Sequence, residues 1–262
     1  MAIAAHDLIP THVTSVVRAE RISARFVRVT FGGGLDRFRP VGADQFVYVL
    51  VPPPGQHELT IGTDFRWSEH DEMPERERPV GAYYTVRHHR PSAGEIDCDV
   101  FLHEPAGHAS AWAAAATAGA PAALWGPRTA WAPPAGTDRW LLVADESGLP
   151  ATETVLDALP PGADVTVVLE ISAPDDVAHI DRDVTWLCRG DEPAGTTHLL
   201  VEAVRSLDLD PTGLYAWGGA ESRAMRDVRR YLRGTAGLAR AQVSMTPYWR
   251  HAQHADDAPD DE

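Results

Sequence analysis

The spacing of hydrophobic residues changes halfway along the chain, and this change restricts the fold more than any other feature. The first half holds short runs rich in Val, Ile, Thr and Phe, such as residues 12–31, 45–51 and 95–103. These runs follow one another with almost no helical interruption, which is typical of a small antiparallel β-barrel. From Arg139 onward, strand-like and helix-like segments alternate, which is typical of a mostly parallel sheet flanked by helices.

We therefore predict a β + α/β protein with an antiparallel β-barrel domain over residues 1–133 and an α/β domain over 138–251. The one helix expected in the first half is the Ala-rich segment 108–119, which is bounded by Gly107 and Gly119. The polar, Pro-punctuated segment 55–80 is expected to be a long surface loop. Residues 252–262 are expected to form an acidic, disordered tail.

Composition excludes several classes of function. The chain has 262 residues and a net charge of −15, which argues against nucleic acid or an anionic membrane as a partner. All 23 basic side chains are arginine, so lysine-based phosphate loops and Schiff-base chemistry are ruled out. The two cysteines are far apart and form no CxxC pattern. No secretory signal or membrane span is expected, and we predict a cytoplasmic monomer.

Two elements of the β half are candidates for binding a flat cofactor. On a strand, Tyr84 faces away from Tyr83 and Thr85, so its ring could stack on a flavin or simply pack in the sheet. The segment "DVFLHEPAGHASAW" predicts a strand, a turn and a helix that begins between His108 and Ser110. The start of this helix suits a pyrophosphate, although a serine that only caps the helix would give the same pattern.

Two turns of the α/β half lie where a nucleotide binds in open parallel sheets. "VADESGLPA", 143–151, is a strand end followed by an acidic Gly turn and a helix start at Pro150. "YAWGGAESRAMR", 215–226, is a second strand end, at which Glu221 suits a helix start. Neither turn is a GxGxxG motif, and a plain β–α turn capped by Ser147 would look nearly the same.

Taken together and in order, these segments resemble the siderophore-interacting proteins, which are FAD-dependent ferric-siderophore reductases of the ferredoxin–NADP reductase-like superfamily. The family's "RxYTxR" motif corresponds to residues 82–87, and its "DxDxxxH" strand to "DCDVFLH". Its helix start, "GPR" and "GDETALPA" turn correspond to "GHASAWA", residues 126–128 and residues 144–151. Its aromatic C-terminal motif is "YWR", residues 248–250, so the resemblance covers roughly residues 8 to 251.

The resemblance implies that the β-barrel binds FAD, with Tyr84 against the isoalloxazine and Thr85 near its N5 edge. His103 would lie toward the ribityl chain, and Ala109, Ser110 and Trp112 around the pyrophosphate. The complete set of implied flavin contacts is Tyr84, Thr85, Val86, Arg87, Asp99, Phe101, Leu102, His103, Ala109, Ser110 and Trp112. The implied NAD(P)H side is Asp145, Glu146, Ser147, Gly148, Leu149, Glu170, Trp217, Gly218 and Glu221, and the flavin would be covered by Tyr248 and Trp249.

The chain departs from the family pattern at two places. Ala82 stands where the motif has an arginine that contacts the flavin phosphates, so FAD is held weakly or Arg78 or Arg87 substitutes. Lysines that some relatives use for an anionic ferric siderophore are absent. Arg128 and Arg250 are the best candidates for that contact, although either could equally be a surface ion pair.

The leading hypothesis is NAD(P)H-dependent reduction of ferric siderophores through FAD, with binding residues and no side chain acting as acid or base. NADH and NADPH are both compatible with the sequence, because Arg223 and Arg226 could meet a 2′-phosphate or simply face solvent. One alternative is a general flavin reductase that passes electrons to ferredoxin. Another is a flavin-poor siderophore-binding protein without redox activity. No resident metal is expected, since His88 and His89 would point to opposite faces of a strand.

Overall fold

The computed structural model describes residues 8–174, 180 and 182–254. The chain divides into two compact units at the junction of Thr129 and Ala130. We call the first the β unit and the second the α/β unit. Residues 255–262, most of the predicted acidic tail, lie outside the described residues. No helix in the described part is long and apolar enough to cross a bilayer.

The β unit is built on one antiparallel sheet of seven strands. Their order across the sheet is β4-β3-β7-β1-β2-β6-β5, so β4 and β5 form its two edges. The strands are β1 (Thr11–Arg21), β2 (Phe26–Gly32), β3 (Phe46–Val51), β4 (Val80–Thr85), β5 (His88–Arg90), β6 (Glu95–Phe101) and β7 (Pro121–Arg128). Two short helices accompany the sheet, α1 (Trp67–His70) and α2 (His108–Ala115).

The inner face of this sheet is apolar because side chains alternate along each strand. Val29 and Phe31 of β2 pack with Val47 and Val49 of β3, and all four are at most 2% exposed. Helix α2 also packs against this core through Ala113 and Trp112. The helix ends at Ala115, four residues before the end of the predicted segment 108–119, since Ala116 turns to an extended conformation with ψ 136°. The core therefore places α2 beside β4.

The α/β unit is built on a parallel sheet of five strands in the order β10-β9-β8-β11-β12. The strands are β8 (Arg139–Asp145), β9 (Asp164–Ile171), β10 (Thr185–Cys188), β11 (Leu214–Glu221) and β12 (Val243–Trp249). The helices are α3 (Leu149–Ala158), α4 (Leu199–Ser206) and α5 (Ser222–Gly234). Because the strands run the same way, the carboxyl ends of β8, β9 and β11 meet at one edge.

The predicted fold class is confirmed: an antiparallel β half precedes a parallel α/β half. The segment 55–80 differs from the expected surface loop. It contains helix α1, and Phe65, 7% exposed, packs with Leu50 and Trp125 in a second apolar cluster. The aromatic residues Phe65 and Trp67 explain the difference, because burial of their rings stabilises the segment against the sheet.

Candidate functional site

Tyr84 is directed toward the inner face of the β unit. Its ring packs against the core and, with Ala109 and Trp112 of α2, lines a small apolar cavity. Burial raises the pKa of the Tyr84 phenol above its usual range. The neighbouring Tyr83 is 47% exposed, as expected if it lies on the opposite face of the strand. Tyr84, Ala109 and Trp112, all predicted to contact a flavin, therefore line the same cavity.

The next residues join the two edges of the sheet. Thr85 ends β4, His88 begins β5, and only Val86 and Arg87 lie between them. Thr85 is 5% exposed and Val86 is 1% exposed, whereas Arg87 is half-buried. The backbone N–H of Arg87 donates to Asp97 O at 2.8 Å. The residues predicted at the flavin edge therefore lie at the short turn that joins β4 and β5, the two edge strands of the sheet.

The start of α2 is open to an anion. Gly107 is its N-cap and provides no side-chain cap. Ser110 does not cap the helix, because its hydroxyl donates to Gly107 O at 3.3 Å and accepts no backbone N–H there. A Cβ added to Gly107 would lie 3.8 Å from the His103 imidazole, so that ring is beside the helix start. Free N–H groups at a helix start suit a pyrophosphate, so this element fits the phosphate end of FAD.

The two carboxylates of "DCD" in β6 are bound to other side chains of the sheet. Asp99 forms a bidentate pair with Arg28, with both distances 2.7 Å. Asp97 accepts from Arg90 and from Thr30 Oγ1. Burial alone would raise the pKa of Asp97, but these hydrogen bonds outweigh it and lower the pKa to about 2. Asp99 therefore stabilises the sheet, and its predicted contact with the cofactor stays a prediction.

The other predicted contacts of this segment are mainly apolar. Phe101 packs on Phe26 with a centroid distance of 5.3 Å. Leu102 packs against the core, and its N–H donates to Arg25 O at 2.7 Å. These residues hold the end of β6, which leads to His103 and the start of α2.

In the α/β unit, Asp145 ends β8 and organises the turn that follows. Its Oδ1 accepts from Ser147 N at 2.8 Å, and its Oδ2 accepts from Glu221 N at 3.1 Å. The Trp249 indole N–H also donates to Oδ2, at 2.7 Å. Burial, and to a smaller extent the charge of Glu146, raises the pKa of Asp145 to about 6. The side chain of Asp145 therefore links three strand ends of this sheet.

Glu221 plays the corresponding part at the start of α5. Its carboxylate accepts from Arg223 N at 2.6 Å and from Ala224 N at 3.2 Å, so it is the N-cap. It also accepts from His251 N and pairs with His254 Nδ1, both at 3.1 Å. Burial would raise the pKa of Glu221, but these hydrogen bonds outweigh it and lower the pKa. Two of the N–H groups that could bind a phosphate here, those of Arg223 and Ala224, are already bound by this carboxylate.

Glu146 and Glu170 complete a cluster of four buried carboxylates around one small cavity. Glu146 pairs with Arg189 at 2.7 Å. Both oxygens of Glu170 accept from Thr197 Oγ1 at 2.9 Å, and Arg189 is 3.9 Å away. Burial raises the pKa of Glu170 to about 7. We call Asp145, Glu146, Glu170 and Glu221 the carboxylate cluster.

The remaining residues predicted to contact the nucleotide are either buried or packed closely against neighbouring backbone. Leu149, which begins α3, is 3% exposed, and Trp217 is 0% exposed. A Cβ added to Gly148 would lie 2.1 Å from Gly219 O, and one added to Gly218 would lie 2.6 Å from Val143 O. These glycines allow the turn and strands to pack closely. Any nucleotide contact at these positions stays a prediction.

The C-terminal aromatic residues pack within the α/β unit. A Cβ added to Gly219 would lie 2.7 Å from the Tyr248 ring, and one added to Gly195 would lie 2.8 Å from the Trp249 ring. Trp249 also donates to Asp145, as described above. Their predicted place over a flavin stays a prediction. Of the two predicted substrate arginines, Arg128 ends β7 in the β unit and Arg250 follows β12 in the α/β unit.

Sequence reasoning missed the partners of the carboxylate cluster. Arg189 follows β10, Thr197 precedes α4, and His254 lies near the end of the described chain. An arginine directly after a parallel strand is a usable signal, because such ends meet at one edge. Thr197 and His254 carry no comparable pattern. Among the described residues, no group of three or more His, Cys, Asp or Glu side chains could hold a metal ion.

Comparison with known proteins decides the family. A model described as the siderophore-interacting FAD-binding domain matches residues 15–131, and one described as the siderophore-interacting protein matches residues 137–252. The chain belongs to the siderophore-interacting protein family. The resemblance inferred from the motifs is thereby confirmed, and the β unit carries the family's FAD-binding domain.

Individual proteins are similar to the chain over most of its length. The NADPH-dependent ferric-chelate reductase of Escherichia coli is 30% identical over 227 residues, which are 82% of this chain and 84% of that protein. A siderophore utilization protein from T. fusca is 27% identical, with a TM-score of 0.80 over 92% of this chain and 93% of that one. The ferredoxin reductase of carbazole 1,9a-dioxygenase shares the fold, with 16% identity and a TM-score of 0.65 over 92% and 70% of the two chains.

The carboxylate cluster predicts an unusual dependence of stability on pH. The folded-state pKa of Glu170 is raised to about 7, so folding favours its protonated form. This contribution is fully present below the unfolded pKa and is lost as the pH rises through about 7. At pH 8 we expect the Glu170→Gln variant to be more stable than the wild type by about 3 kcal/mol, because the amide places no charge in the buried site.

Thermal denaturation between about pH 5 and pH 8 checks this expectation, since over that range the stability of the variant should fall less than that of the wild type. Asp164→Asn is the matched control, because it removes one carboxylate from the exposed start of the same strand. A variant that is less stable than the wild type at pH 8 would show that the Glu170 charge is well compensated there.

Proposed function

We propose that the chain is an FAD-dependent ferric-siderophore reductase that uses NAD(P)H or another reductant and releases the metal as iron(II). One observation carries the proposal. The FAD-binding family model covers the β unit, and within it the start of α2 has no side-chain cap and adjoins both Tyr84 and His103. This arrangement fits a cofactor that has an aromatic ring system and a pyrophosphate.

Bound FAD would supply the redox chemistry, because a flavin accepts two electrons from a nicotinamide and returns them one at a time to iron(III). The residues of the chain then have binding roles. Tyr84 offers a ring surface, Thr85 a hydroxyl at the end of β4, and the N–H groups of α2 a site for phosphate. No proton transfer by a side chain is needed, since electron transfer weakens the hold of the siderophore on iron.

The reductant would act at the carboxyl edge of the parallel sheet in the α/β unit. In the turn after β8 the N–H of Ser147 is bound by Asp145, and at the start of α5 the N–H groups of Arg223 and Ala224 are bound by Glu221. A nucleotide would therefore place its phosphates elsewhere on this edge. The E. coli relative is named for its use of NADPH, and we extend a nicotinamide donor to this chain on that basis.

Ala82 favours a second candidate function, a siderophore-binding protein with little flavin. It lies on β4 opposite Val49, at the position of the motif arginine. Its methyl group offers no charge to the flavin phosphates, so affinity for FAD is lower than an arginine would give.

A visible spectrum with and without added FAD separates the two candidates. The reductase is expected to take up FAD, to lose its colour when NADH or NADPH is added without oxygen, and to melt at a higher temperature with FAD bound. Protein that gains neither colour nor melting temperature when FAD is added would support the flavin-poor binding protein.

A further inference from the structure

Helix α5 carries a row of arginines along its outer side. They follow one another at intervals of three and four residues, so their side chains lie on the same side of the helix. The buried residues of the helix are apolar and pack in the core of the α/β unit; they are Met225, Val228 and Leu232. We call Arg223, Arg226, Arg230 and Arg233 the arginine stripe.

The stripe is a local excess of positive charge on an acidic chain. The net charge of the chain is −15, whereas α5 contains five arginines and one acidic residue, Asp227. Arg230 pairs with Asp227 at 3.1 Å, but its side chain is 70% exposed, and such surface pairs are weak. Arg233 is exposed and pairs with no carboxylate in the part of the chain that the structure describes. The outer side of α5 therefore suits an anionic partner.

The last described residue lies at the start of this helix. Glu221 is the N-cap of α5, and its carboxylate accepts from His251 N and pairs with His254 Nδ1, both at 3.1 Å. His254 is 7% exposed, so the pair is enclosed. Residues 255–262 therefore leave the folded unit beside the end of α5 that carries Arg223.

These residues have the charge that the stripe lacks. Their sequence is "ADDAPDDE", in which five of the eight residues are acidic and none is basic. We call residues 255–262 the acidic segment. An extended chain spans about 3.3 Å per residue, so the segment reaches about 26 Å from His254. Helix α5 has 13 residues and is about 20 Å long. Every arginine of the stripe is thus within reach.

We propose that the acidic segment binds along the arginine stripe of α5, as a contact within one chain that screens the stripe from other anions. Its carboxylates accept charge-assisted hydrogen bonds from the guanidinium groups. Attachment through His254 gives the segment an effective concentration on the order of millimolar at the stripe, so several individually weak pairs act together. The contact does not depend on the function proposed above.

Screening follows from the balance of charge. Four guanidinium groups of the stripe would meet five carboxylates of the segment, which cancels the positive potential of this surface. Helix α5 begins at the carboxyl edge of the parallel sheet, where ligands of α/β proteins bind. The segment would therefore keep other polyanions from collecting beside this edge.

Nuclear magnetic relaxation of the backbone amides tests the contact in the whole chain. At about 10 mM salt, where the Debye length is about 30 Å, we expect amides of Asp256, Asp257, Asp260 and Asp261 to have order parameters above about 0.6. At about 1 M salt, where the Debye length is about 3 Å, these values should fall below about 0.6. Low order parameters in the wild type at low salt would overturn the proposal.

Paired substitutions show whether the stripe is the partner. Arg230→Gln/Arg233→Gln should lower the order parameters at low salt, while unchanged amide shifts of Val228 show that α5 stays folded. Arg37→Gln/Arg76→Gln is the matched control: Arg76 also forms an exposed ion pair, with a distance of 3.1 Å, and Arg37 is exposed. Equal values in the wild type and the stripe variant, or an equal loss in the control, would contradict binding at the stripe.

Retention on heparin-agarose tests the screening. The variant is Asp256→Asn/Asp257→Asn/Asp260→Asn/Asp261→Asn/Glu262→Gln, which keeps the whole chain and removes the charge of the acidic segment. It should elute at higher salt than the wild type because the stripe is uncovered. Adding Arg230→Gln/Arg233→Gln should remove this gain, whereas adding Arg37→Gln/Arg76→Gln should keep it. Elution together with the wild type, or an equal effect of both arginine pairs, would show that the segment does not screen the stripe.

Discussion

Replacing Glu221 with alanine is expected to destabilise the α/β unit by about 3–5 kcal/mol. Glu221 is 1% exposed, and its carboxylate accepts hydrogen bonds from three backbone N–H groups, those of Arg223, Ala224 and His251. It also pairs with His254, which is 7% exposed. Alanine would leave these donors buried without a partner and would remove the cap of α5.

Urea denaturation measures this loss as a difference in the free energy of unfolding. Glu202→Ala is the control, because Glu202 is an exposed glutamate in the first turn of α4. It should cost less than about 1 kcal/mol. If Glu221→Ala proves as stable as the control, the hydrogen bonds of Glu221 do not hold this edge of the sheet together.

An arginine at position 82 is expected to tighten FAD binding by about ten- to a hundredfold. Ala82 lies on β4 in register with Val49, and by strand alternation its side chain shares the face of Tyr84. Helix α2, whose uncapped start is the proposed phosphate site, packs against β4. A guanidinium there would add a charge-assisted hydrogen bond to a phosphate, which contributes about 1.5–3 kcal/mol.

Titration of flavin-free protein with FAD, followed by quenching of flavin fluorescence, measures the effect of Ala82→Arg. Ala115→Arg is the matched control, since it adds the same charge at the exposed far end of α2. It should change the affinity by less than about threefold. Equal affinities in the wild type and both variants would show that the phosphates do not bind near position 82.

The division into two kinds of sheet could be predicted because it depends on local periodicity. Residues 27–31 alternate apolar with polar side chains as an antiparallel strand does, and residues 139–171 show the strand–helix–strand order of a parallel sheet. The strand order could not be predicted. Strand β7 lies between β3 and β1, and its pairing with β1 joins residues more than a hundred positions apart, such as Thr11 and Trp125. No local pattern encodes such a contact.

Of the candidate site, too, one part could be predicted from the sequence and the other could not. Asp145, Glu170 and Glu221 could each be predicted from the sequence, because each is the last or next-to-last residue of a strand of the parallel sheet. Their bonds to Thr197, Trp249 and His254 could not, since these partners come from distant segments with no periodic signal. The contact between Arg128 and Tyr83 could not be predicted, for a similar reason. Arg128 and Tyr83 are 45 residues apart and meet only through the pairing of both strands with β3.

Reoxidation of the reduced protein tests the central claim most directly. Protein loaded with FAD is reduced with one equivalent of NADH or NADPH in the absence of oxygen and is then mixed with a ferric siderophore and an iron(II)-specific chelator. A ferric-siderophore reductase returns the flavin colour and releases two iron(II) per flavin, because each flavin carries two electrons. A flavin that stays bleached while no iron(II) is captured would contradict the proposed function.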